Sequence, residues 1–308
     1  MGFEATKRYL QAQSIMHAST YAMFVTVPFS FMLNYLCVYP FGLGFIGAPI
    51  ATSASYWLMF LVLLGYIRYV QGKEGWGGWS RECLKDWGPL LRLAFSGIII
   101  ICAEWSAFEI SSLAASYLST THLAAQSILL TLSSVTYTVP LGISTATSNR
   151  VGHALGASDG HGARTAAIAA LLFAISFGCI NSLFYLCTHS HIGRLFSSDP
   201  DVVDLVSHVL PLCAVFQIAD GVAGTGGGII RGLGRQSVAA CINIVVYYLV
   251  ALPIGFYLTF RLHWSLIGLW IGLTTALFLV ASIEVIFLFN VDWFNEVKKT
   301  QERIRRKN

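Results

Sequence analysis

Eight long apolar runs follow one another along the chain, separated by short polar connections. Each run has about the 20 residues that a helix needs to cross the hydrocarbon core of a bilayer. The runs predict transmembrane helices over residues 15–38, 44–67, 90–117, 123–147, 165–187, 202–224, 237–260 and 266–289. The sequence therefore predicts an all-α integral membrane protein with eight transmembrane helices.

The distribution of charge supports this assignment and gives it an orientation. Charged residues make up 11% of the chain, against roughly 25% in soluble domains. If both termini are cytosolic, all Lys and Arg residues except Arg194 and Arg261 lie on the cytosolic side, Arg231 included, as the positive-inside rule requires. This placement explains the net charge of +4 without a nucleic-acid partner. The polar start MGFEATKRYLQAQ and the length of the first run argue against a cleaved signal peptide.

Two of the runs resemble each other, which predicts an internal repeat. The segments that begin at Gly44 and Ser265 align without gaps and share a glycine, Gly47 in the first and Gly268 in the second. Such repeats build many transporters. If this repeat is real, helices three to eight form a complete lobe, and four helices are missing ahead of the first two. We expect residues 1–72 to hold the last two helices of an N-terminal lobe, 73–88 a cytosolic inter-lobe loop, 89–290 a C-terminal six-helix lobe and 291–308 a basic cytosolic tail.

The third helix carries two acids, Glu104 near its centre and Glu109 nearer its outer end, and its sequence contributes no Lys or Arg after Leu93. A charge at mid-bilayer costs roughly 2.5–3.5 kcal/mol even on a lenient scale. The two side chains point about 140° apart, which places at most one squarely on a given cavity wall. Each acid is either a protonated group that hydrogen-bonds between helices or a proton-binding site, because apolar surroundings favour the neutral carboxyl group.

Two further helices carry polar residues that predict a cavity. Asp220 lies within the sixth helix, ahead of a run of glycines that allows close helix packing and also lets a helix bend. The fourth helix is rich in Ser and Thr between Ser127 and Ser148 and contains Pro140. Polar or broken helices are tolerated in lipid where they line a cavity. We therefore expect the third, fourth and sixth helices to form the wall of an aqueous cavity.

Some aromatic residues and isolated polar residues also lie within the predicted membrane spans. Tyr137 and Tyr247 could stack on a flat organic cation, with core filling as the alternative role. Glu284 is expected to reach the membrane interface near the inner end of the eighth helix. Four amide side chains are expected to hydrogen-bond between helices: Asn34, Asn181, Asn243 and Gln126.

Catalytic and metal-binding patterns are weak. The seven cysteines contain no C-x-x-C pair, and neither they nor the eight histidines show metal-ligand spacing, so we expect no metal and no other cofactor. The segment GIST, residues 142–145, resembles a G-x-S-x nucleophile motif, for which His153 or His208 could act as base. An intramembrane serine protease is therefore one alternative function.

Several segments together resemble transporters of the multidrug and toxic compound extrusion (MATE) family, of eukaryotic type. They are KRYLQAQSI at 7–15, CAEWSAFE at 102–109, VPLGISTATSNRVGHALGA at 139–157, GTGGGIIRGLGRQ at 224–236 and NIVVYYLVALPIG at 243–255. The resemblance covers essentially the whole chain. It implies two six-helix lobes around a central cavity, of which this chain holds the C-terminal lobe and the last two helices of the other.

The resemblance also implies roles for particular residues. Glu104 corresponds to a carboxylate implicated in proton coupling and substrate binding, Asp220 to its acidic partner and Glu109 to the second acid of the helix. Thr131 stands where some animal members carry another Glu. The implied function is export of small organic, often cationic, compounds in exchange for protons, across the plasma or a vacuolar membrane. Sodium remains an alternative coupling ion. A non-transporting fragment or an assembly partner remains an alternative function, and no enzymatic activity is expected.

Overall fold

A computed structural model describes residues 2–78 and 87–305 of the chain. Parts of the expected inter-lobe loop and of the basic tail lie outside these residues. The chain divides into two compact units, Met1–Lys85 and Asp86–Asn308. Within the described residues every regular element is helical, and eight helices are long and apolar enough to span a membrane. The predicted fold class and helix count are therefore confirmed.

The first unit holds three helices: α1 (Gly2–Ala12), α2 (His17–Val38) and α3 (Gly44–Tyr69). The second unit holds the others: α4 (Trp87–Leu118), α5 (Thr120–Gly156), α6 (Gly160–Ile192), α7 (Pro200–Gly232), α8 (Gln236–Ile244), α9 (Leu252–Phe256), α10 (Ser265–Phe289) and α11 (Trp293–Arg305). Helices α8 and α9 belong to one span, Gln236–Arg261, which also contains the π-helical stretches Val245–Ala251 and Tyr257–Arg261. Neither the π-helical stretches nor α1 and α11 were predicted.

Several helices extend beyond the apolar runs that predicted them. Helix α5 continues to Gly156 and α7 to Gly232, because hydropathy detects only the part of a helix that is apolar. Polar caps fix some of the helix starts. The Asp159 carboxylate accepts a hydrogen bond of 2.8 Å from the Gly162 N–H at the start of α6. Helix geometry therefore continues into segments with little hydrophobic signal.

The two glycines of the internal repeat make the same kind of contact. A Cβ atom at Gly47 in α3 would lie 2.8 Å from the carbonyl carbon of Cys37, near the end of α2. A Cβ atom at Gly268 in α10 would lie 2.7 Å from the Thr259 nitrogen and 2.9 Å from the carbonyl carbon of Leu258, near the end of the preceding span. Each glycine lets the backbone of the preceding helix approach closely, which supports the interpretation of these segments as a repeat.

Helix α7 is the central helix of the second unit and packs against α5, α6 and α10. It remains α-helical through all of its glycines, so the helix does not unwind there. The glycines instead permit close approach. A Cβ atom at Gly228 would lie 2.6 Å from the Ser144 carbonyl oxygen, and one at Gly232 would lie 2.7 Å from that of Ser148. Close packing against α5 accounts for these glycines.

One end of the second unit is defined by α11, and we call it the α11 end. Gln301 Nε2 on α11 donates a hydrogen bond of 2.9 Å to the carbonyl oxygen of Gly156, the last residue of α5. Arg235, just before α8, pairs with Glu296 on α11 at 2.5 Å. The C-terminal ends of α5 and α7 and the beginning of α8 therefore lie at the α11 end.

The predicted interhelical hydrogen bonds are borne out at one position. Trp270 Nε1 on α10 donates to Gln126 Oε1 on α5 at 2.8 Å, and both residues are fully buried. Asn34 Nδ2 instead donates to the Ser30 carbonyl oxygen in its own helix, so its prediction is wrong. A side chain that can reach the backbone one turn earlier needs no neighbouring helix.

Three of the polar residues for which the sequence predicted a position have a buried side-chain atom without a hydrogen-bond partner among the described residues. They are Asn181 at Nδ2, Asn243 at Oδ1 and Glu284 at Oε2. Glu284 was expected at the interface but is only 2% exposed. The expectation failed because α7 has glycines opposite this side chain, which leave room for a carboxyl group inside the bundle.

Candidate functional site

A cavity of about 350 Å³ lies between α4, α5 and α7. These are the three helices that the sequence predicted as its walls. Its lining includes five of the six predicted site residues: Glu104, Glu109, Thr131, Tyr137 and Asp220. Tyr247 is 1% exposed and belongs to the hydrophobic core, so its position fits the alternative role of core filling.

Three carboxyl groups reach this cavity from two helices. Asp220 is 5% exposed, Glu104 is half-buried and Glu109 is exposed. Both α4 acids line this cavity, although at most one of them was expected to lie squarely on a given wall. The wall covers a broad arc of α4 that runs from Glu104 past Phe108 to Glu109, so two side chains about 140° apart both border it.

Aromatic rings form much of the remaining wall. Trp105 and Phe108 line the cavity from α4, and Phe216 lines it from α7. The Phe108 and Phe216 rings pack edge to face with centroids 6.1 Å apart, and Phe216 packs in the same way against the buried Trp270 at 5.3 Å. Phe216 is itself only 1% exposed. The wall is therefore held by core packing and can offer ring faces to a bound cation.

Helix α5 contributes hydroxyl groups and Tyr137. Thr131 is exposed to the cavity, and its hydroxyl donates a hydrogen bond of 2.8 Å to the Ser127 carbonyl oxygen of its own helix. Tyr137 packs against α7 at Gly224, where a Cβ atom would lie 3.1 Å from the tyrosine ring. Gly224 is one turn from Asp220, so the glycine makes room for a phenol beside the buried acid.

Sequence reasoning did not identify Arg231 as part of this region. Arg231 lies in the last turn of α7, and its Nη2 donates a hydrogen bond of 2.7 Å to Ser144 Oγ on α5. Its charge acts on Glu104, so the lack of a basic residue within α4 does not leave that acid without a nearby cation. A signal existed, because eleven residues separate Asp220 from Arg231 and eleven residues are about three helical turns, which puts both on one face.

The serine protease alternative finds no support in the structure. Ser144 Oγ donates a hydrogen bond of 2.6 Å to the Gly224 carbonyl oxygen and accepts one from Arg231. Neither partner can act as a general base. His208 is exposed near the start of α7, where it pairs with Asp204 at 3.5 Å. Among the described residues, no group of three or more His, Cys, Asp or Glu side chains could hold a metal ion.

Comparison with known proteins decides the family. The MatE family profile matches residues 98–257. The chain belongs to the MATE family. An uncharacterized transporter of Schizosaccharomyces pombe is 41% identical over 293 residues, which are 94% of the MATE chain and 54% of that protein. Multidrug and toxin extrusion protein 1 of Homo sapiens is 37% identical over 274 residues, which are 88% of the MATE chain and 48% of that protein. The chain thus spans about half the length of these curated relatives.

Solved structures give the same result. The crystal structure of the eukaryotic MATE transporter AtDTX14 matches with a TM-score of 0.94 and 28% identity, over 98% of this MATE chain and 68% of that chain. A MATE protein crystallised in complex with MaL6 matches with a TM-score of 0.83 and 17% identity, over 98% and 67% of the two chains, and shares the fold. The MATE chain therefore has the fold that its sequence predicted, a six-helix lobe together with two helices of the other lobe.

Proposed function

We propose that the protein is a secondary active antiporter that exports small organic, often cationic, compounds in exchange for protons. One observation carries this proposal: Glu104, Glu109 and Asp220 border a single cavity whose lining also includes aromatic rings and hydroxyl groups. The cavity volume of about 350 Å³ falls in the range of roughly 300–1,000 Å³ that holds small molecules. Carboxylates and ring faces together favour an organic cation over a neutral or anionic compound.

Competition between a proton and the cation provides the coupling. A cation is held best when the carboxyl groups are ionised, and protonation removes the charge that holds it. Glu104 and Asp220 are the more enclosed acids, so they are the groups for which protonation and cation binding exclude each other. Exchange follows because the ligand binds the two protonation states with different free energies. We place both termini in the cytosol and the protein in the plasma or a vacuolar membrane.

The test uses the full-length gene product in everted membrane vesicles under an imposed pH gradient, with uptake of a fluorescent organic cation as the readout. Glu104→Gln keeps the shape of the protonated acid and removes its titration. We expect proton-driven uptake to fall by about 100-fold or more, with membrane insertion retained. Asp220→Asn should behave in the same way, and Glu109→Gln should be milder because Glu109 is exposed.

Asp204→Asn is the matched control, since this exposed carboxylate lies near the start of α7 and pairs only with His208 among the described residues. It should transport at the wild-type rate. If Glu104→Gln transports as well as this control, with the same pH dependence, Glu104 is a structural hydrogen-bonding residue and the proposal fails.

A further inference from the structure

Glu284 is a buried acid that the proposed function does not use. It lies on α10, is 2% exposed, and its Oε2 atom is buried without a hydrogen-bond partner among the described residues. Burying a carboxyl oxygen without a partner is costly. An ionisable residue within a membrane-spanning segment is therefore a functional hypothesis by default.

Two glycines of α7 form a niche around this carboxyl group. A Cβ atom at Gly226 would lie 2.5 Å from Glu284 Oε2, so any other residue there would displace the carboxyl. A Cβ atom at Gly227 would lie 3.5 Å from Glu284 Oε1 and 3.7 Å from Arg231 Nη1. The niche thus places the guanidinium and the carboxyl group beside the same glycine.

Hydroxyl groups of α5 connect this niche with the cavity. Ser144 Oγ hydrogen-bonds to Arg231 at 2.7 Å and to the Gly224 carbonyl oxygen at 2.6 Å. About two turns earlier on α5, the Tyr137 hydroxyl lies 3.3 Å from the Cβ position of Gly224, which is one turn from Asp220. Asp220 and Gly227 are about 10 Å apart along the helix axis. We call this row of groups, from Asp220 past Tyr137 and Ser144 to Glu284, the polar lane.

Glu284 interacts electrostatically with charged groups on the neighbouring helices, and one of these groups lines the cavity. Arg231 attracts the ionised forms of both Glu284 and Glu104, and the two acids repel each other when both are ionised. The single positive charge of Arg231 therefore balances only one of the two carboxylates. This arrangement favours one proton shared between the two acids. The titratable groups that act on Glu284 from the helices around it are Arg231 of α7, Glu104 of α4, Tyr137 of α5 and Tyr247 of the first π-helical stretch.

We propose that Glu284 is a second proton-exchanging carboxyl group, which passes protons between the Glu104–Asp220 cavity and the α11 end of the bundle. The proton leaves Glu104, travels along the polar lane and binds Glu284. Glu104 becomes anionic and is stabilised by Arg231, while Glu284 becomes neutral. Glu284 then releases the proton to water at the α11 end and becomes anionic again. This role rests on the proposed function, because it supplies the proton path of the same exchange.

The first test needs no transport. Infrared difference spectra of the purified protein, recorded as the pH is changed, report the C=O stretch of protonated carboxyl groups. Glu284→Gln should remove one pH-sensitive band from the wild-type spectrum, and Glu284→Asp should restore a shifted band. The control Glu302→Gln alters an exposed acid on α11 and should leave the buried-carboxyl bands unchanged. If the spectrum of Glu284→Gln keeps every pH-sensitive band of the wild type, the proposal is overturned, whatever the protein transports.

The second test separates a proton path from a structural role, in proteoliposomes containing the full-length gene product. Glu284→Gln should slow proton-driven uptake of the organic cation by about tenfold or more. It should leave exchange of labelled for unlabelled cation at equal pH within about twofold, because that exchange needs no net proton movement. Equal losses in both assays, or no loss in either, would overturn the relay. If Glu104→Gln also retains wild-type proton-driven uptake, the proposed function fails as well.

Discussion

Gly228 is the position where the packing of α7 on α5 can be tested most sharply. A Cβ atom there would lie 2.6 Å from the Ser144 carbonyl oxygen and 2.9 Å from the Ser144 Cα atom. Real Cβ atoms are not found this close to such atoms, and backbone atoms of a packed helix cannot rotate away. Gly228→Ala must therefore push the two helices apart over the contact.

The change in stability that Gly228→Ala causes is the sum of two opposing contributions. Inserting a methyl group into a tight contact costs about 1–3 kcal/mol, whereas alanine is favoured over glycine in a helix interior by up to about 1 kcal/mol. Gly227→Ala is the matched control, because its nearest neighbours are the flexible ends of Glu284 and Arg231 at 3.5 and 3.7 Å. Both substitutions gain the same helix propensity, so the difference in stability between the two variants measures the contact with Ser144 alone. We expect Gly228→Ala to be less stable than Gly227→Ala by about 1–3 kcal/mol.

Thermal unfolding of the purified variants in one detergent, followed by tryptophan fluorescence, provides the assay. A change of 1 kcal/mol shifts the midpoint by roughly 2–4 °C in domains of 150–250 residues. Gly228→Ala should therefore melt several degrees below Gly227→Ala. Equal midpoints for the two variants would show that α5 and α7 are not in the close contact described, and would remove the basis for the polar lane.

Two further substitutions test other contacts of the second unit. Trp270→Phe removes the hydrogen bond to Gln126 Oε1 inside the core and should lower stability by about 2–4 kcal/mol. Gln126→Leu in the same variant should recover part of the loss in a thermal melt. Glu296→Gln removes the charge that holds Arg235 and Lys299 at the α11 end. The loss should be about 1–2 kcal/mol and should shrink as salt is added, because both basic side chains are partly exposed.

Much of the fold could be predicted because hydropathy and membrane thickness act on each helix separately. An apolar run of about 20 residues has one stable conformation in lipid, whatever packs beside it. The same reasoning located the cavity, since lipid penalises Asp220, Glu104 and the hydroxyl-rich face of α5 alike, and a shared cavity relieves all three. The helix extensions and the π-helical stretches depend instead on caps and on hydrogen-bond register, which hydropathy does not report.

The environment of individual side chains could not be predicted in this way. Glu284 lies close enough to the end of α10 for its sequence position to favour the interface, and only the glycines of α7 turn its carboxyl group inward. Arg231 follows the sixth apolar run, so the sequence placed it outside the membrane span. Helix α7 continues past that run and brings the guanidinium to Ser144. The wrong position for Glu284 and the missed contact of Arg231 have one cause: a sequence pattern gives depth along a helix but does not identify the helix that faces it.

Helix α7 links the packing of the bundle to its electrostatics. Its glycines leave spaces at Gly224, Gly226 and Gly228, and polar groups of α5 and α10 occupy these spaces. Since the two acids Glu104 and Glu284 share the charge of Arg231, the distance between α7 and its neighbours sets how strongly each acid is stabilised when ionised. In the proposed exchange, a movement of α7 against α5 or α10 would change how strongly Arg231 stabilises each ionised acid, and this would couple a conformational change to proton exchange.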